Sequence, residues 1–360
     1  MTHLLMTADA VGGVWTYALD LARGLVAYGV RTTLAVLGPS PDGSKVARAR
    51  AVPGLVLRDT GLPLEWLADS PQQVAMAGQA LADLAREVRP DVVHLNSPAL
   101  LAESRFTAPV LAACHSCVST WWDAVRKGPL PADFAWRTDL LRRGYGRADL
   151  LMAPTRAFAA ATARAYALPV APRAVHNGRA AVAAVPAPGL PPHFAFTVGR
   201  LWDDAKNLAG FDRAAARLDL PFLAAGPTLA PHGAEVRAAH AHLLGPQDEA
   251  GIAAYLAHRP VFVSLAVYEP FGLSVLEAAQ NGCPLVLSDI PTFRELWDGA
   301  ATFVPAHDDA AASRAVAALS ADPAEAGERA RARAARYTVE ATAATTHALY
   351  AELLRRRSAA

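Results

Sequence analysis

One stretch decides the fold that we predict: Tyr268-Glu269-Pro270-Phe271-Gly272-Leu273-Ser274-Val275-Leu276-Glu277. An apolar run typical of a strand, 260–267, precedes it, and a helix-forming run, 273–279, follows it. Pro270 fits a loop or a first helical turn, and Gly272 lets a ligand approach the backbone closely. The stretch therefore predicts a strand, a tight loop and a helix whose N-terminus favours an anion. Glu269 cannot bind that anion, so we expect it to contact an uncharged or cationic group beside it.

The length and composition indicate an ordered protein of two domains. The chain has 360 residues, of which 53% are hydrophobic and 19% charged. A formal net charge of +1 provides no global positive field, so nucleic acid is not an expected partner. No apolar run approaches the ~18 residues needed to span a bilayer, and the N-terminus lacks the basic segment of a signal peptide. Three cysteines, an odd number, favour a reducing compartment, so we expect a cytoplasmic protein.

Strand and helix patterns alternate along the first half of the chain. The predicted strands are 3–7, 31–37, 92–95, 110–114 and 150–153, and the predicted helices include 14–28 and 71–88. Repeated units of this kind are typical of the parallel, doubly wound sheet of an α/β protein. Two such domains that face each other form a cleft, where ligands bind at the carboxyl ends of strands.

A change in composition marks the boundary between the predicted domains. Residues 180–193 contain four prolines and little periodicity, and the strand–helix alternation starts again at Phe194. The predicted divisions are a first domain 1–180, a linker 181–193, a second domain 194–338 and a C-terminal helix 339–360. We expect this last helix to pack back towards the first domain.

Two cations lie in a loop at the end of the second domain's first predicted strand. Gly199-Arg200 closes that strand, and Lys206-Asn207 precedes a helix. An arginine fork and a lysine point charge together suit a diphosphate. Two such cations are more often merely solvated, but the anion-favouring loop at 271–274 makes a diphosphate site the better prediction.

These motifs resemble those of glycosyltransferase family 4. The matching segments, in chain order, are Gly12-Gly13, Pro90-Asp91-Val92-Val93-His94, Gly199-Arg200, Lys206-Asn207, Glu269 to Glu277 as E-x7-E, and Gly282-Cys283-Pro284-Leu285-Val286. The resemblance runs from Met6 to about Arg336. It implies a GT-B fold, in which two Rossmann-like doubly wound domains face a central cleft. The first domain would bind the acceptor and the second the nucleotide-sugar donor.

The resemblance also implies a role for each matching residue. Glu269 would hold the transferred sugar, Glu277 the nucleotide ribose, and Arg200 with Lys206 the departing diphosphate. The implied catalytic residues are Glu269, His115, Arg200 and Lys206. The implied donor-binding residues are Gly12, Gly13, Arg200, Lys206, Glu269, Phe271, Gly272, Leu273, Ser274 and Glu277. A charge in the first turn of a helix is the alternative interpretation of Glu277.

The implied function is that of a retaining glycosyltransferase. It would move a hexose-type sugar from a nucleotide-diphosphate sugar to a hydroxyl of a glycan, lipid or small-molecule acceptor, without a metal or other cofactor. A 2-epimerase or a phosphorylase on the same fold, and a catalytically silent nucleotide-sugar binding protein, remain alternatives. The sequence specifies neither the base, sugar and acceptor nor the oligomeric state.

Several other residues allow two interpretations. His94 lies in a predicted buried strand and is better explained as a core residue, and the C-x-x-C at 114–117 as a chance spacing. Trp15 and Trp121-Trp122 fit a sugar-stacking role and core packing equally well.

Two further features depart from a simple globular pattern. Arg179-Ala180 stands where the family carries an aliphatic residue and then Asp, which predicts a rearranged linker contact. Two basic clusters, Arg137 to Arg147 and Arg355 to Arg357, are either solvated helix ends or a peripheral contact with the inner membrane face.

Overall fold

The structure, a computed structural model, describes residues 1–126, 128–231 and 233–359. The chain forms two compact units. The first unit contains Met1–Gly178 and Thr338–Ala360, and the second contains Arg179–Tyr337.

The first unit is built on a parallel sheet. Its described residues form seven strands: β1 (Thr2–Asp9), β2 (Val30–Leu37), β3 (Leu55–Asp59), β4 (Val92–Leu95), β5 (Val110–Ala113), β6 (Leu150–Ala153) and β7 (Arg173–Ala174). Their order in the sheet is β3-β2-β1-β4-β5-β6-β7, and every neighbouring pair is parallel. Strand addition reverses direction between β1 and β4, which is the arrangement of a Rossmann-like sheet.

The second unit repeats this arrangement. Six strands occur in its described part: β8 (Ala195–Val198), β9 (Phe222–Ala225), β10 (His242–Gly245), β11 (Val261–Ser264), β12 (Leu285–Ser288) and β13 (Thr302–Val304). The order β10-β9-β8-β11-β12-β13 is again parallel throughout and reverses between β8 and β11. The prediction of two parallel, doubly wound α/β sheets is therefore confirmed.

Helices connect the strands in both units, and three more follow the last strand in the described residues. In chain order they are α1 (Gly13–Leu25), α2 (Gly43–Arg50), α3 (Pro71–Val88), α4 (Val118–Val125), α5 (Ala132–Arg147), α6 (Arg156–Tyr166), α7 (Leu208–Ala215), α8 (Glu249–Leu256), α9 (Leu273–Gln280), α10 (Pro291–Trp297), α11 (Asp309–Ala321), α12 (Ala324–Ala334) and α13 (Val339–Ser358). α3 has the predicted bounds, because the Ser70 hydroxyl caps its start and Pro71 occupies the first turn. The helix predicted over 14–28 ends at Leu25, and a 3-10 turn continues to Tyr28.

Apolar clusters hold each unit together. In the second sheet, side chains of neighbouring residues alternate between the two faces: Phe196 and Phe262 pack with α9 and α10 on one face, and Ala195 and Val263 pack with α7 and α11 on the other. In the first unit α13 packs on α1, where a Cβ on Gly24 would lie 2.7 Å from the Ala343 Cβ. A glycine at this position therefore permits the two helices to approach closely.

The predicted linker, 181–193, lies in the second unit. The Ala187 N–H donates to the Ala254 carbonyl at 3.2 Å, and the His258 Nε2 lies 2.7 Å from the Ala187 carbonyl oxygen. Leu190 packs against the apolar cluster that contains Phe196. This proline-rich segment is therefore bound to the second unit by hydrogen bonds and apolar contacts.

None of the helices in the described residues combines the length and apolar character needed to cross a membrane.

Candidate active site

The predicted anion site lies where strand addition reverses in the second sheet. The chain leaves the carboxyl end of β8 at Gly199 and that of β11 at Leu265, so both following loops lie at one edge. The Val267 N–H donates to the Ala205 carbonyl at 2.9 Å and joins the two loops. This contact brings the loop that carries Lys206 to the loop that carries Glu269.

Asn207 fixes the position of Lys206. Its side-chain amide donates to the Leu265 carbonyl at 3.0 Å and to the Ala306 carbonyl at 2.7 Å, while its Oδ1 accepts from the Gly210 N–H. Asn207 adopts a left-handed conformation with φ 53°, which asparagine tolerates better than most residues. In the motif Lys206-Asn207, Lys206 therefore supplies the cation and Asn207 orients the loop that carries it.

Lys206 and Glu269 form an ion pair with each other. The Lys206 Nζ lies 2.5 Å from Glu269 Oε2, and the side chains are 23% and 15% exposed. The Thr292 hydroxyl donates to the Glu269 carbonyl at 2.7 Å and fixes the backbone there. Both partners line a pocket of about 380 Å³, open solvent included, together with Gly199 and Ser274. Residues predicted to act together thus converge on one place.

The loop between Glu269 and α9 exposes the N-terminus of that helix. Gly272 precedes the helix with φ 89°, and a Cβ there would lie 3.2 Å from Phe293 and 3.3 Å from the Glu269 Cγ. Glycine alone fits this conformation without strain. The N–H groups of the first turn, from Leu273 and Ser274 onwards, have no intrahelical acceptor and carry the positive end of the helix dipole.

Phe271 contributes to this loop through packing. Its side chain is buried in the apolar core and meets the Tyr337 ring edge-to-face at 5.9 Å. The side chain therefore anchors the loop in the core, and only its backbone can face a ligand.

Arg200 does not line the pocket that contains Lys206 and Glu269. Its guanidinium donates to the buried carboxylate of Asp203 at 3.0 Å, lies 5.6 Å from the Trp202 ring centroid, and its side chain is 47% exposed. The structure therefore brings Lys206 to Glu269 but leaves Arg200 in a separate, solvent-facing ion pair.

Glu277 lies in the second turn of α9, so its interpretation as a first-turn charge is wrong. Its Oε1 accepts from the Arg179 Nε at 2.7 Å. A second Arg179 nitrogen donates to Glu249, in the first turn of α8. The prediction of a rearranged contact at Arg179 corresponds to this ion pair, whose partners the sequence did not identify.

The glycine-rich turn of the first unit follows β1. Asp9 ends that strand, and its Oδ1 accepts from the N–H groups of Val11 at 2.9 Å and Gly12 at 3.0 Å. Gly13 then begins α1. Asp9 thus shapes the turn whose two glycines were predicted to bind the donor.

His115 lies just beyond the carboxyl end of β5 in the first unit. Its Nε2 is 2.8 Å from Asn96 Oδ1, and the Tyr17 ring packs against it edge-to-face at 4.6 Å. Burial lowers the pKa of His115 to about 4, so its imidazole is neutral at physiological pH. A neutral imidazole can donate or accept one hydrogen bond at each nitrogen, according to its tautomer.

His94 is a core residue, as predicted. It is fully buried in β4, and its Nδ1 is 2.6 Å from the Tyr350 hydroxyl of α13. Burial is the main cause that lowers the pKa of His94 to about 3.

Sequence reasoning missed a carboxyl group near the glycine-rich turn. Glu65 accepts a hydrogen bond from the Ser97 hydroxyl, and the negative charge of Asp9 acts on it. Burial is the main cause that raises the pKa of Glu65 to about 6. A single acidic residue in an irregular segment carries no sequence signal for such an environment.

The burial of the cysteine and tryptophan residues bears on which of their two interpretations holds. Cys114 and Cys117 are buried thiols, and burial raises the pKa of both, whereas a redox-active thiol has a lowered pKa. Trp15 is a core residue, whereas the Trp121-Trp122 pair on α4 is half-buried. The raised pKa values disfavour a redox role for the C-x-x-C motif, and chance spacing stays the prediction.

The arginines of α5 are engaged with nearby groups. Arg143 pairs with Asp139 and Glu103, and Arg142 pairs with Asp139. Arg137 and Arg147 donate to backbone carbonyls. Among the residues that the structure describes, no three His, Cys, Asp or Glu side chains are grouped as metal ligands would be.

Two family models match the chain, one in each half. The model described as Glycosyltransferase Family 4 matches residues 11–180, and the one described as Glycosyl transferases group 1 matches residues 192–322. Among curated proteins, none matches the chain significantly in sequence.

Solved structures with a similar fold cover nearly the whole chain. A sucrose-phosphate synthase from Thermosynechococcus elongatus is 18% identical with a TM-score of 0.77, over 99% of this chain and 100% of its own. HepE from Anabaena, solved with UDP and glucose, is 16% identical with a TM-score of 0.73, over 98% and 99%. A glycosyltransferase from Rickettsia africae is 13% identical with a TM-score of 0.68, over 98% of each chain.

Proposed function

We propose that this chain, a glycosyltransferase family 4-like protein with the two-domain GT-B fold, transfers a hexose from a nucleoside diphosphate sugar. The transfer would retain the configuration at the anomeric carbon. The observation that carries this proposal is the contact between Lys206 and Glu269 beside the N-terminus of α9. It places a cation, a carboxylate and free backbone N–H groups within one pocket. A sugar diphosphate needs these three kinds of group.

The diphosphate is the part of the donor that most needs stabilisation during transfer. Negative charge develops on the leaving phosphate as its bond to the sugar breaks, and fixed positive groups stabilise it. Lys206 and the first-turn N–H groups of α9 supply those groups here. We propose that Arg200 joins them by exchanging its solvent-facing contact with Asp203 for the phosphate. These cationic groups would supply the charge neutralisation that a divalent metal provides elsewhere, so we propose transfer without a metal.

Glu269 and Glu277 have separate roles in this proposal. Glu269 would accept hydrogen bonds from sugar hydroxyls, and Glu277 from hydroxyls of the ribose. The leaving phosphate would accept the proton of the attacking acceptor hydroxyl. Gly12, Gly13 and His115 belong to the first unit, which we propose binds the acceptor.

UDP is the nucleotide that we propose first for this chain. HepE, which has the same fold, was solved with UDP and glucose. The acceptor class, whether glycan, lipid or small molecule, stays open to assay.

Thermal unfolding with UDP, GDP, ADP and dTDP in parallel tests the donor proposal. A ligand at 100 times its dissociation constant stabilises a protein by about 2.7 kcal/mol. We expect one nucleotide to stabilise the chain clearly, with EDTA present. Stabilisation by none of the four would contradict the proposal.

Product analysis then tests the reaction. Incubation with the matching nucleotide sugar and a panel of acceptors should release the nucleoside diphosphate and form a glycoside with the donor's anomeric configuration. An isomerised donor would instead identify an epimerase, and binding without turnover a silent protein.

A further inference from the structure

Arg179 is a buried cation shared by two carboxylates. Its side chain is 4% exposed, its Nε donates to Glu277 Oε1 at 2.7 Å, and its Nη2 donates to Glu249 Oε1. The carboxylates belong to different helices, Glu277 to α9 and Glu249 to the first turn of α8. Arginine suits this place because its planar guanidinium presents several donors in fixed directions.

The backbone of Arg179 is held as firmly as its side chain. Its carbonyl accepts from the Gln280 Nε2 at 2.8 Å, and its N–H donates to the Tyr337 carbonyl at 3.3 Å. Gln280 lies on the same helix as Glu277, so α9 fixes both ends of the arginine. A residue held at both ends has few alternative conformations and can orient its partners.

We propose that Arg179 is a positioning residue for ribose recognition and sets the selectivity for a nucleotide with ribose hydroxyls. This inference rests on the proposed function, in which Glu277 accepts hydrogen bonds from the ribose. An ionised carboxylate offers about four lone-pair sites, so Glu277 can serve Arg179 and a ribose together. The contact with Arg179 fixes the direction in which the remaining lone pairs of Glu277 point.

Glu249 extends this role to the loop between β10 and α8. α8 begins four residues after Gly245, the last residue of β10, and strand carboxyl ends are where this fold binds ligands. Because Arg179 binds both carboxylates, it holds this loop and the ribose ligand in one geometry. Loss of the arginine would remove the cation that these two partly buried carboxylates share, and with it their common geometry.

A nucleotide that lacks the ribose hydroxyls distinguishes a positioning role of Arg179 from a purely structural one. The experiment measures dissociation constants of UDP and of 2′,3′-dideoxy-UDP by calorimetry, with GDP and ADP and their dideoxy analogues in parallel. Wild-type protein should prefer the ribose form by roughly tenfold or more, the range for hydrogen bonds to a charged group. Arg179→Met should reduce this preference to near unity. Affinity for the dideoxy analogue should change much less.

Three variants keep the test decisive if Arg179→Met folds poorly. Arg179→Lys retains the charge but has a single point of contact, so we expect an intermediate preference. Glu277→Gln should lose the preference as Arg179→Met does, and Glu249→Gln should reduce it partly. Arg237→Met, on an 88% exposed side chain, is the matched control and should behave as wild type.

The outcomes distinguish the two proposals. A ribose preference in wild-type protein that survives in Arg179→Met and Arg179→Lys overturns the role of Arg179 alone. An equal loss of affinity for both nucleotide forms in these variants also overturns it, because a purely structural role predicts that result. If wild-type protein binds the nucleotide but shows no ribose preference, the ribose role of Glu277 fails and this inference fails with it. If no nucleotide binds, both are refuted.

Discussion

The ion pair between Lys206 and Glu269 predicts opposite effects of two variants on nucleotide binding. The donor's diphosphate must share Lys206 with Glu269 and lies near the Glu269 negative charge. Glu269→Gln should therefore bind UDP more tightly, since the lysine is released and a repulsive charge is removed. Lys206→Met should bind UDP more weakly, since a cation is lost and the carboxylate remains. Both variants should lose sugar transfer.

The magnitude follows from the burial of the two side chains. Two unit charges 4 Å apart interact by about 4 kcal/mol at an effective dielectric constant of ~20. Both side chains are less than a quarter exposed, so solvent weakens this energy only in part. We expect changes of about 1–2 kcal/mol in each direction, or roughly five- to thirtyfold in dissociation constant.

Calorimetric titration with UDP at fixed ionic strength measures these changes. Lys45→Met is the matched control, because Lys45 pairs with Asp42 at 2.7 Å in the first unit. We expect the control to bind UDP as wild type does. Equal weakening by Glu269→Gln and Lys206→Met would refute the reasoning, as would an unchanged affinity in both.

Three further predictions concern stability and protonation. Glu65→Gln should raise the free energy of unfolding by about 2 kcal/mol above pH 6 and leave it unchanged below pH 4.5. The reason is that the raised pKa of about 6 makes ionisation of Glu65 costly only in the folded state. Urea unfolding of both proteins across this pH range measures the difference, and a difference that does not vary with pH would contradict the prediction. His115 should stay neutral from pH 8 to 5.5 because its pKa is about 4, so its imidazole NMR signals should not shift there, and a midpoint near 6.5 would show otherwise. Gly272→Ala should cost about 1–3 kcal/mol and weaken UDP binding, whereas Gly43→Ala, with no atom within 4 Å of the new Cβ, should lower the melting temperature little.

Much of the architecture was predictable because the strands of a buried parallel sheet are nearly continuous apolar runs in the sequence. The segments 92–95 and 150–153 were predicted with the bounds that the structure has. Short or mixed segments were missed, among them α2 and β10, whose exposed and half-buried side chains give no clear period. Local pattern carries such information only where one face is consistently apolar.

The candidate site was predictable in part for a similar reason. Glu269, Gly272 and Lys206 lie in loops that directly follow apolar strands, where charged residues and glycine are typical of a ligand site. The structure places Glu269 and Lys206 in contact. The pairing of Arg179 with Glu277, in contrast, joins residues 98 positions apart. No local pattern encodes such a contact, because it depends on how the sheet brings α9 to the start of the second unit.

The same limit applies to protonation. The environments of Glu65 and His115 arise from burial by several elements of the first unit. Their residue types alone predict ordinary pKa values.

Release of the nucleoside diphosphate from a panel of nucleotide sugars, with EDTA present, tests the central claim most directly. The wild-type chain should release it from at least one donor, and Lys206→Met should not. Release from no donor above the Lys206→Met background, or release only after a divalent metal is added, would contradict the account.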